Sequence, residues 1–163
     1  VTEISLHEPV TMQLLTATHA CGQFSCGHTI LDRWLQQRAL SNQATGASRT
    51  YVIATARGVV IGYYSLAPTA LDAPLATGPI RRNAPSPIPT FLLGRLAVDF
   101  SCAGKGVGLA LINDALARVQ VAGGIVGRKA LLAHAIDEVA KNFYLKQGFT
   151  ASPIDPLLVM TRV

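Results

Sequence analysis

The run Leu93-Gly94-Arg95-Leu96-Ala97-Val98-Asp99, followed by Ala103-Gly104-Lys105-Gly106-Val107-Gly108, decides how this chain is read. Residues 91–98 are apolar except at Gly94 and Arg95, which predicts a buried strand there. The second part is a glycine turn that opens a helix predicted over residues 105–121. Val107, Leu111, Ile112, Ala115, Leu116 and Val119 supply its apolar stripe, and Gly123-Gly124 is expected to end it. Glycines let successive N–H groups approach an anion with no Cβ in the way. The helix adds its positive end, so phosphate groups are the natural guest. A Walker loop needs Lys-Ser/Thr after its last glycine, and here Leu109 and Ala110 follow. A Rossmann turn would not place Asp99 to Gly104 between strand and glycines.

Working outward, residues 129–135 read as another apolar strand, 137–147 as a helix closed by Gly148, and 157–163 as a final strand. Strand, helix, strand, helix, strand calls for an α/β fold with a mixed sheet flanked by helices. Upstream, residues 50–56 and 59–67 form a predicted hairpin about Arg57-Gly58. Thr29 to Ala44 reads as one helix, with Ile30, Leu31, Trp34, Leu35 and Leu40 on or near one face. Pro9 could start a short helix through Leu15. Residues 68–90 carry six prolines and are expected to form a long loop without a regular helix or central strand.

The 163 residues suit one domain over 1–163. Half are hydrophobic and 14% charged, with a net charge of +5; this excludes an acid-rich disordered chain, a collagen and a disulfide scaffold. Cys21, Cys26 and Cys102 are odd in number and lack a Cys-x-x-Cys pair, which points to a cytoplasmic home. No His/Cys spacing suggests a metal. No signal-like leader and no unbroken apolar run long enough for a membrane span are read, so no membrane association is expected.

The strand and glycine turn resemble the coenzyme-A-binding core of the GNAT superfamily of N-acetyltransferases. The run Ala140-Lys141-Asn142-Phe143-Tyr144-Leu145-Lys146-Gln147-Gly148-Phe149 is similar to that superfamily's last-helix signature. Cys26-Gly27, Arg38-Ala39-Leu40, Ala47-Ser48-Arg49-Thr50 and Gly62-Tyr63-Tyr64-Ser65-Leu66 resemble one branch, the acetyltransferase toxins of bacterial type II toxin–antitoxin modules. The chain departs from the superfamily loop at Ala103, where a Gln or Arg is usual.

The resemblance implies acetyl transfer from acetyl-CoA to an amine. It places the pantetheine arm along Leu96, Ala97 and Val98, and the diphosphate on Gly104, Lys105, Gly106, Val107 and Gly108. Asn142 would hydrogen-bond the CoA arm, and Tyr144 would lie near its sulfur as general acid. A phenol stays protonated at neutral pH and can donate; the plain alternative is a core tyrosine beside Phe143 and Phe149. No general base stands out among Asp99, His134 and Glu138. The α-amine of an aminoacyl ester is weakly basic and could lose its proton through water.

Arg33, Arg38, Arg49, Arg57, Arg81, Arg82 and Arg95 face Asp72 alone between residues 33 and 95. Such a surface attracts a phosphate backbone. Arg33, Arg38, Arg49, Arg81, Arg82 and Arg95 are therefore candidate substrate contacts, with a structural ion pair the alternative for Arg95. The branch resemblance implies acetylation of the amino group of aminoacyl-tRNA, blocking translation. It also implies a homodimer, a ribbon–helix–helix antitoxin, and operator DNA bound through the antitoxin complex. The alternative substrate is a small-molecule amine or a protein N-terminus.

Overall fold

A computed structural model describes residues 8–163. The strands are β1 (Val10–Leu14), β2 (Arg49–Thr55), β3 (Val60–Leu71), β4 (Ile88–Val98), β5 (Ala130–His134), β6 (Thr150–Ala151) and β7 (Leu158–Arg162). The helices are α1 (Thr29–Gln37), α2 (Ala39–Ala44), α3 (Gly78–Arg81), α4 (Val107–Val126) and α5 (Glu138–Lys146). The strands form one mixed sheet in the order β1-β2-β3-β4-β5-β7-β6.

By its contacts the chain divides into two compact units: residues up to Leu66 with Arg95–Ala115, and Ala67–Gly94 with Leu116–Val163. In the first, β1, β2 and β3 are antiparallel neighbours, with Met12 opposite Ile53 and Tyr51 opposite Tyr64. Leu15, Phe24, Trp34, Leu35, Val52, Tyr63 and Ala97 pack into one buried cluster. In the second, β4 runs parallel to β5 over Phe91–Leu93, and β5 and β7 are antiparallel. Its cluster joins Leu71, Ile80, Ile88, Leu132, Leu158 and Met160.

Several sequence expectations change. The segment after Pro9 is a strand, not a helix: Val10, Met12 and Leu14 alternate with more exposed Thr11 and Gln13, the period of a half-buried strand. The helix expected over residues 29–44 breaks at Arg38, so the second helix starts in a new phase. Ala39 is then buried while Leu40 is 43% exposed; Ile30, in the first turn of α1, is 77% exposed.

The Pro-rich stretch 68–90 is not wholly loop. β3 runs through Pro68 to Leu71, β4 begins at Ile88, and α3 lies between. The ladder of β3 with β2 ends at Leu66, so Pro68 removes no donor from it. Pro89 uses only its carbonyl, which accepts from Lys129 N–H at 2.9 Å.

The long helix starts at Val107 rather than Lys105 and passes through Gly123-Gly124 to Val126. Gly123 is a packing position: a Cβ there would come within 2.7 Å of Val163. The left-handed residue past the helix end is Gly127, at φ +68°. By length and composition α4 is apolar enough to cross a membrane. It carries Asp114 and Arg118, and Val107, Leu111, Ile112, Ala115 and Val119 are buried in the protein.

Candidate active site

The end of β4 leads directly into the glycine turn. Asp99 caps a short 3-10 turn, Phe100–Cys102. Its carboxylate accepts from Ser101 N–H at 3.0 Å, Ser101 O–H at 2.7 Å and Ser25 N–H at 3.0 Å. Burial pushes its pKa up, but these hydrogen bonds outweigh burial and hold it below the ordinary aspartate value. Asp99 is thus an anion committed to structure, poorly suited to take up a proton.

Gly104 and Gly106 have φ of +73° and +85°, the left-handed region where a side chain is strained. Ala110 N–H donates to Gly106 C=O at 3.0 Å. Val107, Gly108 and Leu109 therefore lie in the first turn, whose N–H groups have no intrahelical acceptor. Two left-handed glycines before a 20-residue helix with an open first turn fit a diphosphate. Lys105 is half-buried beside them, while Ala103 is exposed and offers no polar side chain.

β3 sets the depth of this turn. A Cβ on Gly62 would meet Val107 Cγ1 at 2.8 Å and Leu111 Cδ1 at 3.2 Å. The missing side chain lets the first two turns of α4 lie close against the sheet. Leu96, Ala97 and Val98 follow on β4, beyond its ladder with β5.

In the second unit, Asp137 caps α5 by accepting from Ala140 N–H at 2.8 Å, a contact worth about 1 kcal/mol. Tyr144 on this helix is 7% exposed, with ring centroids 5.6 Å from Phe143 and 5.4 Å from Phe149. Burial pushes its pKa up to about 12. Among the described residues its hydroxyl has no hydrogen-bond partner. The core-tyrosine packing is therefore real, yet it leaves the phenol's proton uncommitted. Asn142, His134 and Glu138 are exposed.

Arg33, Arg38, Arg49, Arg81 and Arg82 are exposed; Arg81 ends α3 and Arg82 follows it. Arg33, Arg38, Arg49 and Arg95 belong to the first unit, Arg81 and Arg82 to the second. Arg95 is half-buried and lies over the Trp34 ring at 4.3 Å instead of in an ion pair. Sequence reasoning took Trp34 only as core; no local signal links residues 34 and 95. The cysteines are free, and burial pushes the Cys26 thiol up to about 11, which disfavours a thiolate nucleophile. Among the described residues, no group of three His, Cys, Asp or Glu could hold a metal.

The family profile of the acetyltransferase (GNAT) domain matches residues 47–151. The chain belongs to the GNAT acetyltransferase family. This GNAT chain is 44% identical over 138 residues to the tRNA-acetylating toxin of Mycobacterium tuberculosis, covering 84% of this chain and 82% of that protein. The structure of AtaT complexed with acetyl-methionyl-tRNAfMet matches with a TM-score of 0.86 and 27% identity, over 94% of this chain and 95% of that one. A Tyr-to-Phe mutant of AtaT bound to acetyl-CoA and the C-terminus of the antitoxin AtaR matches with a TM-score of 0.80. Its identity is 28%, over 94% of this chain and 92% of that one.

Proposed function

We propose that this GNAT chain transfers the acetyl group of acetyl-CoA to the α-amino group of an aminoacyl-tRNA. Amide formation there blocks the amine that translation needs, so the free protein acts as a toxin. The observation that carries this function is the 44% identity to a tRNA-acetylating toxin across most of both chains.

Acetyl-CoA supplies the acetyl group as a thioester. The first-turn N–H groups after Gly104, Lys105 and Gly106, with Val107 and Gly108, hold its diphosphate, and Lys105 adds charge. The open-turn geometry supports this assignment. The backbone of Leu96, Ala97 and Val98 lies along the pantetheine arm, and Asn142 adds a hydrogen bond to it. Tyr144 gives its phenolic proton to the departing sulfur as the C–S bond breaks and the C–N bond forms. The amine's own proton leaves through water, and Tyr144 is reprotonated from solvent. A phenol held near pKa 12 stays protonated at working pH. An α-amine below about pKa 8 needs no strong base, consistent with Asp99 being fully engaged elsewhere.

Exposed Arg33, Arg38, Arg49, Arg81 and Arg82 contact the tRNA backbone. Residues 1–163 act as one domain in the cytoplasm. The protein forms a homodimer and is neutralised by a ribbon–helix–helix antitoxin, whose complex binds operator DNA. The test is incubation with labelled acetyl-CoA and either charged or deacylated total tRNA. Label on the amino acid of charged tRNA alone is expected; label only on polyamines or protein N-termini would overturn the proposal.

A further inference from the structure

Arg95 ends in a stack of rings. Its guanidinium carbon lies 4.3 Å from the centre of Trp34. Trp34 stacks on Tyr63 at 6.0 Å and an interplanar angle of 12°, and Phe24 meets Tyr63 edge-on at 5.5 Å. Tyr63 is fully buried, and its hydroxyl donates to Leu31 C=O at 2.7 Å. Phe24, Trp34 and Tyr63 all belong to the first unit's core cluster, so the guanidinium rests on a rigid plate. Among the described residues Arg95 has no carboxylate partner and no hydrogen-bond acceptor. A guanidinium that lies over a ring and bonds to no acceptor keeps its N–H donors available, in the fork that matches a phosphate.

The side of the sheet identifies which phosphate. Gly62 faces α4, because a Cβ there would touch Val107 and Leu111. Tyr63, the next residue, faces the opposite side, where Trp34 of α1 lies. Ala97 clusters with Trp34 and Tyr63, and Arg95, two residues earlier on β4, shares its face. The guanidinium is therefore on the α1 side, while the turn that opens α4 is on the other. The anion Arg95 can grip is not the diphosphate assigned to that turn. The α1 segment also carries exposed Arg33 and Arg38, which favours a polyanion on this side.

We propose that Arg95 binds a phosphodiester at the acceptor end of the tRNA substrate, and that Trp34 is the positioning residue that holds its fork. The proposal rests on tRNA being the substrate. The experiment measures tRNA affinity directly, across a salt series, for wild type, Arg95→Gln, Arg95→Lys, Trp34→Leu and Trp34→Phe. Acetyl-CoA affinity and acetyl transfer to charged tRNA and to a phosphate-free amino-acid methyl ester are measured alongside.

Arg95→Gln is expected to weaken tRNA binding about tenfold or more and to flatten the log-affinity salt slope by about 0.7. Acetyl-CoA binding and transfer to the methyl ester stay unchanged. Arg95→Lys keeps the salt slope but recovers only part of the affinity. Trp34→Leu follows Arg95→Gln, while Trp34→Phe, which retains a ring and the fold, stays near wild type. Unchanged tRNA affinity and slope in Arg95→Gln would overturn the proposal, as would loss confined to acetyl-CoA. If wild type binds tRNA but transfers nothing to it, the acetylation assignment falls while Arg95 is still judged by affinity. If wild type binds no tRNA, both fall.

Discussion

Replacing Gly62 by Ala tests whether β3 sets the depth of the α4 start. The new Cβ would sit 2.8 Å from Val107 Cγ1 and 3.2 Å from Leu111 Cδ1. Val107 is 1% exposed and Leu111 fully buried, so neither has room to retreat. Overpacking of this kind costs about 1–3 kcal/mol, and the stiffer unfolded chain returns about 0.4–1 kcal/mol. A net loss of about 1–2 kcal/mol follows, lowering Tm by about 2–8 °C at this size. Relief requires α4 to move outward by a few tenths of an ångström, which displaces the first-turn N–H groups. Acetyl-CoA affinity should therefore fall along with Tm, while tRNA affinity, assigned to the other face, is kept. Thermal unfolding by circular dichroism and calorimetric titration with acetyl-CoA read the two effects. Gly22→Ala is the control: its Cβ would meet nothing within 4 Å, so Tm should hold or rise slightly. A Gly62→Ala protein with wild-type Tm and wild-type acetyl-CoA affinity would refute the packing argument.

Asp99→Asn should keep kcat with charged tRNA, because the carboxylate serves Ser25 and Ser101 rather than the amine. Its folded pKa is depressed, so its stabilisation is present above about pH 4 and fades as pH falls through the folded value. The variant should be less stable at neutral pH and show a shallower acid loss, checked by urea unfolding across pH. Tyr144 has the opposite sign. Its unfolded pKa is near 10 and its folded pKa about 12, so the folded state binds more protons between these values and stability falls as pH rises through them. By about pH 11 this amounts to roughly 1 kcal/mol. Tyr144→Phe should lack that alkaline loss in urea titrations; an equally steep decline would show that the loss does not come from a raised Tyr144 pKa.

Local patterns carried most of the fold. The alternating strands and helices of the second half, the glycine turn and the Tyr144 helix were legible because each is a short run with its own period or spacing. Val10, Met12 and Leu14 held a clear two-residue period that Pro9 obscured. Gly123-Gly124 resembled a stop signal, yet close packing against Val163 requires a glycine inside the helix. Pro68 and Pro89 looked like strand breakers because ladder position is not written locally. Among the candidate site residues, Tyr144 and residues 104–108 stand in short motifs that the sequence displays. The Arg95–Trp34 stack was not, since it joins residues far apart in sequence through a third ring, Tyr63. Asp99's engagement with Ser25 was hidden for the same reason.

The most direct test is a single-turnover measurement of acetyl transfer to charged tRNA, wild type against Tyr144→Phe, at saturating acetyl-CoA with cofactor affinity determined in parallel. Loss of a positioned proton donor predicts a rate at least about a hundredfold lower with acetyl-CoA affinity and fold intact. Transfer at the wild-type rate, or a deficit explained entirely by weaker acetyl-CoA binding, would contradict the assignment of Tyr144 as the acid.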